Sequence, residues 1–90
     1  MHIVRTMMKE VGWVAHYYPK IGVAVIELTA PIKVGDKIKI VGHTTDLEQI
    51  VKSMEIEHVK VLEAKKGESI GLKTNKRVRS KDVVYKLPTT

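Results

Sequence analysis

Ile32-Lys33-Val34-Gly35-Asp36-Lys37-Ile38-Lys39-Ile40-Val41-Gly42 holds a turn and a strand in one short stretch. From Lys37 to Val41 the chain alternates, with Ile38 and Ile40 on one face and Lys37 and Lys39 on the other. Successive side chains of a strand point to opposite faces, so this pattern predicts a strand with one face in a core. Gly35 precedes it and can take the positive φ of a tight turn. Gly67-Glu68-Ser69-Ile70 and Ser80-Lys81-Asp82-Val83 also place a small or turn-prone residue before a β-branched run. Their spacings differ, so this is recurring turn chemistry and not a sequence repeat.

Outward from this stretch the same grammar continues. Turn signals stand at Pro19-Lys20-Ile21-Gly22, Gly42-His43-Thr44-Thr45-Asp46, Lys65-Lys66-Gly67 and Asn75-Lys76. Between them lie short β-forming runs at Val11–Tyr17, Val23–Leu28, Ser69–Leu72 and Val83–Leu87. Val and Ile number 22 against 9 for Leu and Ala, with no Phe. Side chains branched at Cβ lose rotamer freedom in a helix and pack well on a pleated surface. Short strands punctuated by Gly and Pro predict an all-β barrel or sandwich.

Leu47 to Leu62 reads both ways. Apolar residues at 47, 50, 51, 54, 61 and 62 fall at helical spacing, and Asp46 could cap the start. Against a helix, Ile56 and Val59 lie off the stripe, and Met54, Ile56 and His58 alternate with Ser53, Glu55 and Glu57. The pattern alone leaves helix and strand equal here.

Ninety residues make one domain with one modest core. Without Cys, disulfides and thiolate metal sites are excluded, which fits a reducing compartment. No apolar run approaches the ~20 residues that span a bilayer, and the N-terminus lacks a secretory core. A soluble, cytoplasmic protein with no membrane partner is expected. Residues 1–59 carry seven Lys/Arg and seven Asp/Glu, whereas residues 60–90 carry nine and three. The net charge of +6 therefore resides in the last third. A one-sided basic field attracts polyanions, although lysines also serve plain solubility.

No catalytic constellation and no cofactor site stand out. The histidines at 2, 16, 43 and 58 show no paired metal-ligand spacing, and on one strand Glu55 and His58 would face opposite ways. His58 reads as a partly buried hydrogen-bonding residue. Ser53, Ser69 and Ser80 lack a nucleophile elbow, and Thr44, Thr45 and Asp46 beside His43 are ordinary turn chemistry. The strongest candidate is the cluster Lys73, Lys76, Arg77, Arg79 and Lys81. Such cations supply the phosphate contacts that dominate nucleic-acid affinity. Trp13 and Tyr17 would share a strand face and offer stacking, or Trp13 would plug the core.

The segment 32–42 also resembles the central signature of the β-barrel that follows the GTPase domain in elongation factor Tu and its relatives. Ser53-Met54-Glu55-Ile56-Glu57-His58 and Ala64-Lys65-Lys66-Gly67-Glu68-Ser69-Ile70-Gly71-Leu72 look like the next strand and hairpin of that barrel. Thr44-Thr45-Asp46, Gln49, Ser53-Met54, Ala64-Lys65-Lys66-Gly67 and Val84-Tyr85 are closer still to the barrel at the C-terminus of collagenase-like peptidases. The resemblance covers about residues 11–87. It implies a closed six-stranded antiparallel Greek-key barrel of translation-protein type, and makes 47–62 strand plus loop. Residues 1–10 would be an N-terminal segment able to add an edge strand, and 88–90 a tail. In the Tu-type factors this barrel helps hold the 3′ end of aminoacylated tRNA, and two glutamates of that pocket fall on Glu55 and Glu68. The pocket's aromatic and arginine are replaced by Glu57 and His58. No Gly-x-x-x-x-Gly-Lys-[Ser/Thr] loop is present, so no GTP binding is expected of this chain.

The expectation is thus a non-catalytic, translation-factor-like barrel that binds RNA (tRNA or rRNA) through Lys73, Lys76, Arg77, Arg79 and Lys81, with Glu55 and Glu68 as the 3′-end contacts that the resemblance implies. The alternative is a protein-docking accessory module for a separately encoded peptidase or GTPase.

Overall fold

A computed structural model describes residues 8–88 as an all-β fold. The strands are β1 (Lys9–Tyr18), β2 (Val23–Leu28), β3 (Ile32–Lys33), β4 (Lys37–Val41), β5 (Asp46–Ile50), β6 (Met54–Ile56), β7 (Val59–Val61), β8 (Glu63–Ala64), β9 (Ser69–Lys73) and β10 (Val83–Lys86). No helix occurs among the described residues, and therefore none long and apolar enough to cross a membrane. Of the segment expected at 1–10, residues 1–7 lie outside the described residues, while Lys9 and Glu10 open β1 opposite Lys86 and Tyr85. Residues 89 and 90 of the expected tail also lie outside.

Eight strands form one antiparallel sheet in the order β5-β4-β10-β1-β2-β9-β6-β7, and β3 pairs with β8 in a second, two-stranded sheet. This corrects the expected closed six-stranded barrel. The large sheet is open, because no backbone ladder joins its ends among the described residues. It curls nonetheless. β5 lies on the edge of β4 and β6 on the edge of β9, yet only Val51-Lys52-Ser53 separates them in the chain. The chain itself thus steps across the seam. Gln49 of β5 bridges it as well: Nε2 donates to Lys73 O (2.9 Å), and Oε1 accepts from Asn75 N (2.8 Å). A seam closed by one side chain and a three-residue step replaces the ladder of a closed barrel.

The stretch 47–62 resolves into strands, because its inward residues follow period two. Leu47, Gln49 and Val51 are buried in alternation, and Met54 follows after the step. The chain then reverses at Glu57-His58, both at positive φ. The core is correspondingly aliphatic, with Val14, Ile26, Ile38, Ile40 and Val84 wholly enclosed. Each CH₂ taken from water there contributes roughly 0.8 kcal/mol.

The recurring strand entries prove to be one device built three times. In Lys33-Val34-Gly35-Asp36, Lys65-Lys66-Gly67-Glu68 and Arg79-Ser80-Lys81-Asp82 the acid accepts a hydrogen bond from the first residue's N–H (2.9, 2.6 and 2.8 Å). Each acid's own N–H returns to that residue's carbonyl at 3.1 Å. The third residue has positive φ: 101° at Gly35, 92° at Gly67 and 79° at Lys81. Its N–H donates to a carbonyl in or next to a strand (Val51 just after β5, Leu28 and Val14, in that order), and the same residue's N–H donates back to the acid's carbonyl. Each turn therefore satisfies its own backbone and docks onto a strand, which leaves few polar groups unpaired at the ends of the sheet.

Candidate functional site

The segment joining β9 to β10, residues 74–82, carries four of the five cluster cations, and Lys73 ends β9 just before it. Lys73, Lys76, Arg77, Arg79 and Lys81 are all exposed. Between them Thr74, Val78 and Asp82 are buried, at 8%, 1% and 5% exposure, and act as three inward pegs. Thr74 N donates to Gly22 O, Asn75 N to Gln49 Oε1, Lys81 N to Val14 O, and Thr74 Oγ1 to Lys76 O. Arg79 Nε donates to Thr44 Oγ1 (3.0 Å), which ties the segment to the β4–β5 turn. The Asp82 carboxylate lies against the backbone of Gly42, where any Cβ would collide with it. The charged atoms are thus carried on a connection fixed at both ends and in its middle.

Lys81 stands where the two equivalent turns have glycine. A non-glycine residue in this left-handed region costs on the order of 1–3 kcal/mol, a cost that tends to gather where a side chain has a task.

The two glutamates do not join this cluster. Glu68 precedes β9 and Lys73 ends it, so they lie about 16 Å apart along the strand at ~3.3 Å per residue. Glu68 is engaged as the acceptor of its own turn. Glu55 sits on β6, one strand from the sheet edge, opposite Gly71, in a groove also lined by Tyr18, Val23, Val25 and His58. Glu55 and His58 border the same groove, contrary to the expectation of opposite faces, because the strand ends at Ile56 and the chain turns. His58 is exposed, not partly buried.

The first strand differs from its expected alternation as well. A β-bulge falls between Val14 and His16, so Trp13 pairs with Glu27 while Tyr17 pairs with the wholly buried Ala24. One extra residue inverts the faces downstream of it. Trp13 and Tyr17 therefore do not share a face, and Trp13, 43% exposed, is not the core plug. The bulge instead places His16 and Tyr17 beside Arg77, Val78, Arg79 and Ser80 around one depression. Tyr17 was read only as a stacking partner of Trp13, and His16 and Ser80 were not read as binding residues; no residue at the bulge announces it. Among the described residues no three His, Asp or Glu side chains gather as a metal-ligand set.

No family model matches the chain. An uncharacterized protease of Methanocaldococcus jannaschii is 50% identical over 82 residues, which is 90% of this chain and 20% of that protein. The chain thus spans about a fifth of the length of this curated relative. Two crystal structures of the C-terminal domain of a Geobacillus thermoleovorans protein classed as a U32 peptidase share the fold. One has a TM-score of 0.83 at 17% identity and covers 89% of this chain and 93% of that domain. The other, a selenomethionine variant, has a TM-score of 0.80 at 16% identity and covers 84% and 96%. The fold is therefore that of a peptidase C-terminal domain, in keeping with the collagenase-like peptidase half of the resemblance; neither neighbour bears on the Tu-type half.

Proposed function

We propose that this chain is a non-catalytic accessory module of a U32-type peptidase, a small curled sheet that docks onto its protein partner and does not itself cleave. The observation that carries this reading is the relative in which a half-identical stretch forms a fifth of a much longer protease. The fold shared with a peptidase's C-terminal domain supports it. Mixing the purified chain with the catalytic body of such a peptidase tests the idea. A complex that survives nuclease and high salt in gel filtration is expected, together with no peptide hydrolysis by the chain alone. Separate elution of the two, or hydrolysis by the chain alone, would count against it.

A second reading, RNA binding, is favoured by the lysine held at a strained turn position and by the anchored segment around it. Lys73, Lys76, Arg77, Arg79 and Lys81 then contact the phosphates of a tRNA or rRNA. Five contacts to a single strand give a slope of log K against log salt near about −3.5, and three give about −2. Lys76→Ala with Arg77→Ala is expected to reduce the slope by that difference. Equal slopes in the two proteins would remove this reading.

A further inference from the structure

The bulge in β1 and the basic segment meet at a depression of about 230 Å³ lined by His16, Tyr17, Arg77, Val78, Arg79 and Ser80. It is smaller than the ~300–1,000 Å³ of typical small-molecule sites, so it suits one compact group and not a bulky ligand. Its lining is chemically one-sided. Two arginines, a histidine and a tyrosine are among its lining residues, whereas the nearby carboxylate, Asp82, is buried against Gly42 and bonded to Arg79 N.

Arg79 is oriented in advance. Its Nε already donates to Thr44 Oγ1, a contact that restrains the guanidinium and does not use its terminal N–H groups. Val78, 1% exposed, anchors the backbone between Arg77 and Arg79. The Ser80 hydroxyl is directed to Ala15 O at 3.4 Å, so it steadies the rim at the bulged residue and is not itself turned to a ligand. Bulges are used next to binding sites to re-aim side chains, and this one brings His16 and Tyr17 to the segment that holds both arginines.

We propose that this depression is a phosphate-binding subsite, with Arg77 and Arg79 holding the oxyanion and His16 and Tyr17 closing its other side. A planar guanidinium gives paired, charge-assisted hydrogen bonds to phosphate oxygens that a lysine ammonium cannot reproduce. The inference deepens the RNA reading and rests on it only for the source of the phosphate. A nucleic-acid backbone and a free phosphate offer the same anion.

Amide shift mapping of the intact chain tests it, with inorganic phosphate titrated against chloride at matched ionic strength. Phosphate is expected to move the amides of 16–17 and 77–80 selectively. Arg79→Lys keeps the charge but removes the fork, and weakens phosphate binding about tenfold. Lys52→Ala, a charge removed elsewhere, leaves binding unchanged. Unaltered shifts outside the segment show that each variant is folded. A short RNA carried through the same series separates the sources. RNA binding without selective phosphate shifts overturns the subsite and spares the RNA reading. Selective phosphate shifts without RNA binding support the subsite and remove the RNA reading. Phosphate that acts no differently from chloride, or Arg79→Lys that binds as the parent does, overturns the proposal.

Discussion

Lys81 occupies a position that glycine fills in both sister turns, and its φ of 79° lies in the left-handed region. The strain there is on the order of 1–3 kcal/mol, while glycine's extra freedom in the unfolded chain costs roughly 0.5–1 kcal/mol. Lys81→Gly is therefore expected to stabilise the protein by about 1 kcal/mol, read as a raised urea midpoint at unchanged slope. A lower midpoint would show that the lysine side chain contributes packing that the turn comparison does not reveal. The position of Lys81 in the basic cluster was legible in the sequence, because like charges recur within a few residues. Its strain was not, because Ser80-Lys81-Asp82 contains no glycine to announce a positive φ. Asp36 and Asp82 were legible as residues of turns before strands, whereas Glu68 was read as a pocket glutamate. That Glu68 accepts within its own turn became visible only from its bond to Lys65 N.

β4, with strict alternation, runs as its sequence pattern predicts from Lys37 to Val41, and β2 keeps the expected bounds Val23–Leu28, its alternation appearing only in burial. Alternation over a half-buried face fixes register, since a slip of one residue would expose every inward side chain. β1 departs from this rule because its bulge is held by tertiary partners: Val14 exchanges hydrogen bonds with Lys81 and Asp82, distant in sequence. The seam between β5 and β9 was equally hidden, because Gln49 reads as one more polar residue in a strand. In the fold it is 9% exposed and joins edge strand β5 to the end of β9 across the seam. Gln49→Leu leaves Lys73 O and Asn75 N without those partners, a loss of about 1–3 kcal/mol. Hydrogen exchange is expected to accelerate at Asn75 and along β5, with β1 and β2 unaffected. Uniform acceleration across the sheet would mean that the seam is not a local element.

Across the molecule, the excess charge of the last third divides among separate places. Lys60 lies in β7, Lys65 and Lys66 sit in the turn before β9, and Lys86 pairs with the buried Asp36 at 3.4 Å. The remaining group runs from Lys73, at the end of β9, to Lys81 in the connection that follows. All-β architecture followed from β-branched composition and closely spaced turns. The open seam did not, because whether β5 pairs with a neighbour or stops short depends on where the chain steps at Val51-Lys52-Ser53, and nothing in those residues specifies the step. Both binding readings that involve the basic segment depend on its being a rigid part of the sheet, with charges presented and not trailing in solvent. Backbone ¹⁵N relaxation of the ligand-free protein measures this directly. The anchored segment predicts order parameters near about 0.85 for the amides of 75–82, equal to those of β9 and β10, whereas values below about 0.6 would contradict it.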